Sequence, residues 1–261
     1  MVISKKQLTR QLTDMKLNRQ DTILIHSSMK AIGPVEDGPE GVIDVLMDYF
    51  QKGLLILPTH TWSQINAKNP IFDPLHEPSC VGLLTNIFRE RHEVYRSWHP
   101  THSVGAFGKE AKAYVAGEEH VDTPCPRHGC WGKLIDLKAK IMFLGCGLKN
   151  NTFLHGVEEW HNIPGRISSE WEPLKIRRPD GSLMDRPMRR HEAPAAQNGV
   201  SDHYDKMEPL LKAAGYAYNG SFGKANCVVC DAEGMDALTG AYLAHDQDLF
   251  LDDRPVSFLP L

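Results

Sequence analysis

No apolar run in this chain approaches the roughly 20 residues that cross a bilayer. The opening stretch MVISKKQLTRQL is too polar for a secretory signal, so a cytoplasmic protein without a membrane partner is expected. Lys and Arg are nowhere dense. The locally basic stretches Lys175–Arg178 and Arg186–Arg190 lie in a Pro-containing, irregular region, and the net charge is −4. A general nucleic-acid binder is therefore excluded. Neither GxGxxG nor GxxxxGK[ST] occurs, which removes the usual signatures of dinucleotide and nucleoside-triphosphate sites. Internal repeats and low-complexity segments are absent. Six cysteines in 261 residues do not make a disulfide framework. Two of their spacings invite a metal reading, Cys125/His128/Cys130 and Cys227/Cys230. The second pair lies in the apolar run ANCVVC, where a strand would send the two thiols to opposite faces, and the first has no fourth ligand in sequence. No metal is expected.

What is present is a core. At 41% hydrophobic and 24% charged, the chain can fill one large α/β domain, or a core with a smaller subdomain. The mild acidic excess suits a cationic substrate.

Ser4-Lys-Lys-Gln7 is a capping-box pattern, and Leu8, Leu12 and Met15 follow at helical spacing. Three short apolar runs read as buried strands: Asp21–His26, Gly53–Pro58 and Lys140–Gly145. Each stops at small or polar, chemically capable residues: HSS at 26–28, THTW at 59–62 and GCG at 145–147. Ligands of open α/β sheets bind beyond the carboxyl ends of strands, so His26, Ser27, His60 and His155 are expected around one cleft. The loop MKAIGPVEDGPEG is expected to lack regular structure. Residues 63–80 form a long loop of the kind that becomes a lid. A hairpin is expected around Pro179-Asp180-Gly181, within a Pro/Gly-rich stretch, residues 162–202, suited to covering the cleft. His203–Ala214 and Met235–Ala244 are expected helices, and Asn226–Cys230 a strand.

The segment after the third strand, LKNNTFLHGVEEW, has helical spacing, with Asn150, Asn151 and Thr152 as N-cap candidates. His155 and Glu158, three apart, share a face. A neutral imidazole beside a carboxylate, at the mouth of a strand-turn-helix unit, is placed to be a general base. An ordinary surface His-Glu pair has the same spacing; the three polar strand ends favour the functional reading.

The set HSSMKAIGPVEDGPEG, RSWHPTHSVGAFG, Thr123-Pro-Cys125 with Gly132-Lys-Leu134, and LGCG…NTFLHGVEE resembles the aminoglycoside 3-N-acetyltransferase family in order, from about residue 5 to about residue 245. The resemblance implies one α/β domain distinct from the GNAT acetyltransferases: a central mixed sheet flanked by helices, with a small β-rich cover over the cleft. It implies transfer of the acetyl group of acetyl-CoA to the 3-amino group of an aminoglycoside, and antibiotic resistance. His155 is then the base and Glu158 its partner. Ser27, Ser28, Lys30, Ile32, Gly33 and Val35, with His102, Ser103 and Val104, map on to the CoA site. For the cationic acceptor, Asp73, Glu158 and Glu159 are the carboxylate candidates. A monomer or dimer is expected. Gly129-Cys130 departs from the Ser-Pro often found there in the family. With His155 as base, kcat/KM should rise with pH through a group near the histidine range. The rivals are an acetyltransferase of the same fold for a non-antibiotic amine, a zinc hydrolase using His60, His99, His102 and His155, and a non-catalytic binder.

Overall fold

A computed structural model describes residues 2–192 and 201–256. Part of the polar stretch 187–202 thus lies outside the described residues. The helices are α1 (Lys5–Asp14), α2 (Met29–Ile32), α3 (Gly38–Phe50), α4 (Leu83–Arg89), α5 (Ala111–Val115), α6 (Cys130–Asp136), α7 (Thr152–Trp160), α8 (Met207–Ala213) and α9 (Ala232–His245). The strands are β1 (Thr22–Ser27), β2 (Leu54–Pro58), β3 (Ile71–Phe72), β4 (Tyr95–Arg96), β5 (Val104–Gly108), β6 (Lys140–Leu144), β7 (Lys175–Arg177), β8 (Leu183–Asp185), β9 (Ala217–Phe222) and β10 (Ala225–Asp231).

The main sheet runs β4-β5-β2-β1-β6-β10-β9. Its centre, β2-β1-β6, is parallel, and both flanks are antiparallel. The three strands with polar ends are therefore neighbours, and their carboxyl ends open on one edge. Alternation along each strand divides the core in two. Ile23, Ile25, Leu55, Leu57, Met142 and Leu144 face α1, α3 and α4. Leu24, Ile56, Ile141 and Phe143 face α5 to α9. Cys227 and Cys230 fall in opposite layers, as strand periodicity requires.

A second sheet, β3-β7-β8, has its own small core of Ile65, Phe72, Leu174, Ile176 and Met188. The hairpin at Pro179–Gly181 joins β7 to β8. This is the cover, and Arg190 ties it down: its guanidinium donates to the Trp62 carbonyl at 3.1 Å and pairs with Glu172 at 2.6 Å.

Two expectations fail. MKAIGPVEDGPEG is not irregular throughout: it holds the single turn α2, and α3 already begins at Gly38, with Pro39 where its missing N–H costs nothing. Strand β9 has no counterpart in the sequence reading; within it stands Asn219-Gly220, a pair more usual in turns. Here Gly220 serves packing instead, since a Cβ on it would meet the Met15 sulfur of the segment after α1 at 2.2 Å. The real turn is Gly223-Lys224.

Candidate active site

The cleft at the carboxyl ends of β1, β2 and β6 has a volume of about 650 Å³, and Ser27, Ser28, His60, His102, Thr152 and His155 all line it. Gly145 makes this geometry possible. It turns the chain out of β6 with φ +72°, and a Cβ there would stand 2.4 Å from Ala31 of α2. Asn151 then caps α7 by accepting from the Phe153 N–H at 3.1 Å. The helix opens at the cleft with Thr152 and His155 on its inner side.

Buried histidines crowd the site. His26 stacks on Phe143 at 5.2 Å, its neighbour across β6, and on Trp131 at 6.2 Å. His60 lies 5.5 Å from Trp131 and 4.9 Å from His102, and its Nε2 meets the Thr152 hydroxyl at 3.0 Å. His102 continues to His191 at 5.2 Å, and His191 stacks on His155 at 4.3 Å. Burial holds all of them neutral: it drives His26 and His155 down to about 3, His99 to about 4, and His60, His102 and His191 well below their ordinary value. The expected titration of His155 near the histidine range is corrected on this ground. Burial favours the neutral imidazole.

His99 is structural. Its Nε2 meets the Thr123 carbonyl at 3.0 Å, while Nδ1 accepts the N–H groups of Thr101 and His102 at 3.2 and 2.9 Å. Both nitrogens are spent on the loop that presents His102, so His99 cannot serve a metal. Among the described residues no group of three or more His, Cys, Asp or Glu is gathered so as to hold one.

The pair His155–Glu158 is not in direct contact: Nδ1 and Oε2 stand 3.9 Å apart. The Tyr204 hydroxyl lies between, 2.6 Å from His155 Nδ1 and donating to Glu158 Oε2. Arg166 takes the other carboxylate oxygen at 2.7 Å. Burial pushes Glu158 up, while Tyr204 and Arg166 pull it back. At 1% exposure Glu158 is closed to any acceptor, so its expected second role in substrate binding finds no geometry. Glu159 accepts from Thr123 Oγ1 and from the Cys125 N–H at 3.1 Å, which anchors the Thr123-Pro-Cys125 segment. Asp73 closes its own turn, accepting from the N–H groups of Leu75 and His76 at 3.0 and 3.2 Å, away from the cleft lining.

Of the residues mapped to the CoA site, Ser27, Ser28 and His102 line the cleft. Lys30 is exposed on α2. Gly33 lies under the Lys224 side chain. Ile32, Val35 and Val104 are buried in the core, and the Ser103 hydroxyl donates to the Thr59 carbonyl at 2.7 Å. These four side chains serve the interior.

A groove of about 780 Å³ shares Gly145 and Cys146 with the cleft and carries Lys224, Asn219, Asn226 and the ion pair of Lys212 with Glu208 at 2.5 Å. The two hollows together offer a long ligand one lysine in the groove without a carboxylate partner among the described residues, Lys224, and a set of histidines in the cleft. At Gly129-Cys130, the α6 N-terminus has no capping side chain. Glu118 accepts the Cys130 N–H at 2.7 Å instead, doing what a Ser at the cap would do.

Sequence reasoning did not find Tyr204, Arg166, His191 or Trp131. Tyr204, His191 and Trp131 come from segments remote from α7, Arg166 from the irregular stretch just after it, and none carries a local pattern of its own.

A neutral histidine at the carboxyl ends of parallel strands, in a cleft that shares Gly145 and Cys146 with a second groove, is an arrangement suited to group transfer on an α/β sheet. The chain belongs to the aminoglycoside 3-N-acetyltransferase family, whose profile matches residues 24–244. It is 27% identical over 260 residues to aminoglycoside N(3)-acetyltransferase VII of Streptomyces paromomycinus, covering 88% of each chain. In fold it is similar to AAC-IIIb solved with CoASH, with a TM-score of 0.82 at 23% identity, covering 94% of this chain and 97% of that one. A histidine-to-alanine mutant of AAC(3)-IVa in complex with apramycin gives 0.78 at 23% identity, covering 95% of each chain.

Proposed function

We propose that this chain moves the acetyl group of acetyl-CoA to an aminoglycoside, at the 3-amino group of the deoxystreptamine ring, and so confers resistance. The observation that carries the reading is His155: a neutral imidazole, gripped at Nδ1, facing a cleft that shares Gly145 and Cys146 with a groove bearing Lys224. Family membership supplies the reaction.

Acetyl-CoA supplies the acetyl group as a thioester. Lys224 suits its phosphates, Ser27 and Ser28 line the cleft, and His155 lies at the reactive end. The acceptor nitrogen must reach the carbonyl carbon as a free amine. As the C–N bond forms the nitrogen gains positive charge and its proton becomes strongly acidic. His155 Nε2 takes that proton, the CoA thiolate leaves, and a proton passes back to it. A low-pKa imidazole suits this step because it stays unprotonated and the proton it meets is acidic.

A second reading, a non-antibiotic amine, is favoured by the acceptor side. Asp73, Glu158 and Glu159 all spend their carboxylates on protein groups, and among the described residues lining the cleft the charged ones are Lys149 and Arg190. One assay tests both: purified protein with acetyl-CoA, a panel of aminoglycosides and other amines, and detection of released thiol. Turnover on the aminoglycosides is expected. Turnover on other amines alone selects the second reading, and no turnover above the rate of thioester hydrolysis overturns both.

A further inference from the structure

His155 is useful as a base only if its bare nitrogen faces the cleft, and nothing on α7 itself secures that. The 3.9 Å gap to Glu158 is too long for a hydrogen bond, because Arg166 draws the carboxylate to its own side at 2.7 Å. The link comes from the segment before α8. Tyr204 has no exposed surface. Phe250 meets its ring edge-on at 4.7 Å, and the next residues are tied to the C-terminal segment by Lys206 Nζ, which donates to the Leu249 carbonyl at 3.0 Å.

We propose that Tyr204 is a positioning residue for the reaction, whose hydroxyl transmits the hold of Glu158 to His155 and fixes the imidazole as the Nδ1–H tautomer. This rests on the reading of His155 as the base. The argument is a proton count. A phenol has one proton and two lone pairs. Glu158 and Arg166 are both buried, so a protonated carboxyl would leave a buried guanidinium unpaired. Glu158 is therefore the carboxylate, and Tyr204 gives its one proton to Oε2. The same oxygen, 2.6 Å from His155 Nδ1, can then only accept, so Nδ1 carries the ring hydrogen and Nε2 the lone pair. When Nε2 takes a proton, the imidazolium faces the phenol oxygen with a carboxylate directly behind it. The charge is stabilised without Tyr204 or Glu158 changing protonation. His191, stacked on the ring at 4.3 Å, keeps it from tipping.

Tyr204→Phe keeps the ring and removes the hydroxyl. It should lower kcat by roughly 10- to 100-fold and leave the KM for acetyl-CoA unchanged within about twofold. The second measurement is the nitrogen NMR spectrum of histidine-labelled protein, with His155 assigned by its loss in His155→Gln. Wild type should show Nδ1–H with a bare Nε2, and Tyr204→Phe a tautomer mixture at an unchanged melting temperature. The spectrum needs no substrate, so it decides the tautomer even if no amine on the panel is acetylated. Retention in Tyr204→Phe of either wild-type kcat or the wild-type tautomer overturns the proposal, as does an Nε2–H tautomer in wild type.

Discussion

His155 combines two properties that exposed histidines do not: burial keeps it uncharged, and a hydrogen bond to Nδ1 orients it. The sign of its shift decides what a pH profile reports. A histidine lowered to about 3 is deprotonated throughout the range in which the enzyme is assayed, so its titration contributes no limb there. The rise of kcat/KM with pH should follow the acceptor's own ammonium group, moving when amines of different basicity are compared. His155→Ala should lower kcat by roughly 10²-fold or more and keep the same limb. A limb in the histidine range that vanishes in His155→Ala would show instead that the imidazole titrates in the free enzyme.

Helix α6 shows how an element far from the chemistry shapes the cleft. It carries Trp131, which packs against His26 and His60 and donates from its indole nitrogen to the His102 carbonyl at 3.2 Å. Its N-terminus is held by Glu118, a carboxyl that burial pushes up to about 7. A folded-state value above the unfolded one means that this group's contribution is full below the ordinary carboxyl range and is lost as pH rises to about 7. Glu118→Gln keeps an oxygen acceptor for the Cys130 N–H and cannot ionise. Its stability relative to wild type should therefore improve as pH is raised from about 4.5 to about 7 and level off above that. Denaturant melts at several pH values check this; a difference that does not change with pH would mean that Glu118 is not titrating there.

Across the whole molecule, six neutral histidines, residues 26, 60, 99, 102, 155 and 191, are packed around one site. Each takes a proton near its ordinary value when unfolded and refuses it when folded. The stability they contribute is full above the usual histidine range and is lost as pH falls towards 3 to 4. Acid unfolding should thus begin below about pH 6, with more than one proton taken up per molecule, and a single His26→Phe substitution should make the transition shallower. Thermal melts across about pH 4 to 8 measure the slope; stability that is flat from about pH 6.5 to 4 would contradict it.

Local pattern determined a good deal. The capping box at Ser4–Gln7, the three buried strands with polar ends, the helix α7 with its cap among Asn150, Asn151 and Thr152, and the hairpin at Pro179–Gly181 all depend on neighbours within a few residues, so spacing alone points to them. The family motifs carried the membership and pointed to His155. What required the tertiary structure is everything that depends on partners far apart in the chain. Tyr204 meets His155 across 49 positions, and Glu118 caps a helix that begins 12 residues later. Glu158 and Glu159 are available for substrate by sequence alone; Arg166, Tyr204 and Thr123 hold them in the fold. Burial likewise belongs to the packed molecule, which is why sequence puts the titration of His155 in the wrong range. A hydrogen bond or a desolvation penalty is set by distance in space, and sequence periodicity reports distance only along one helix or one strand.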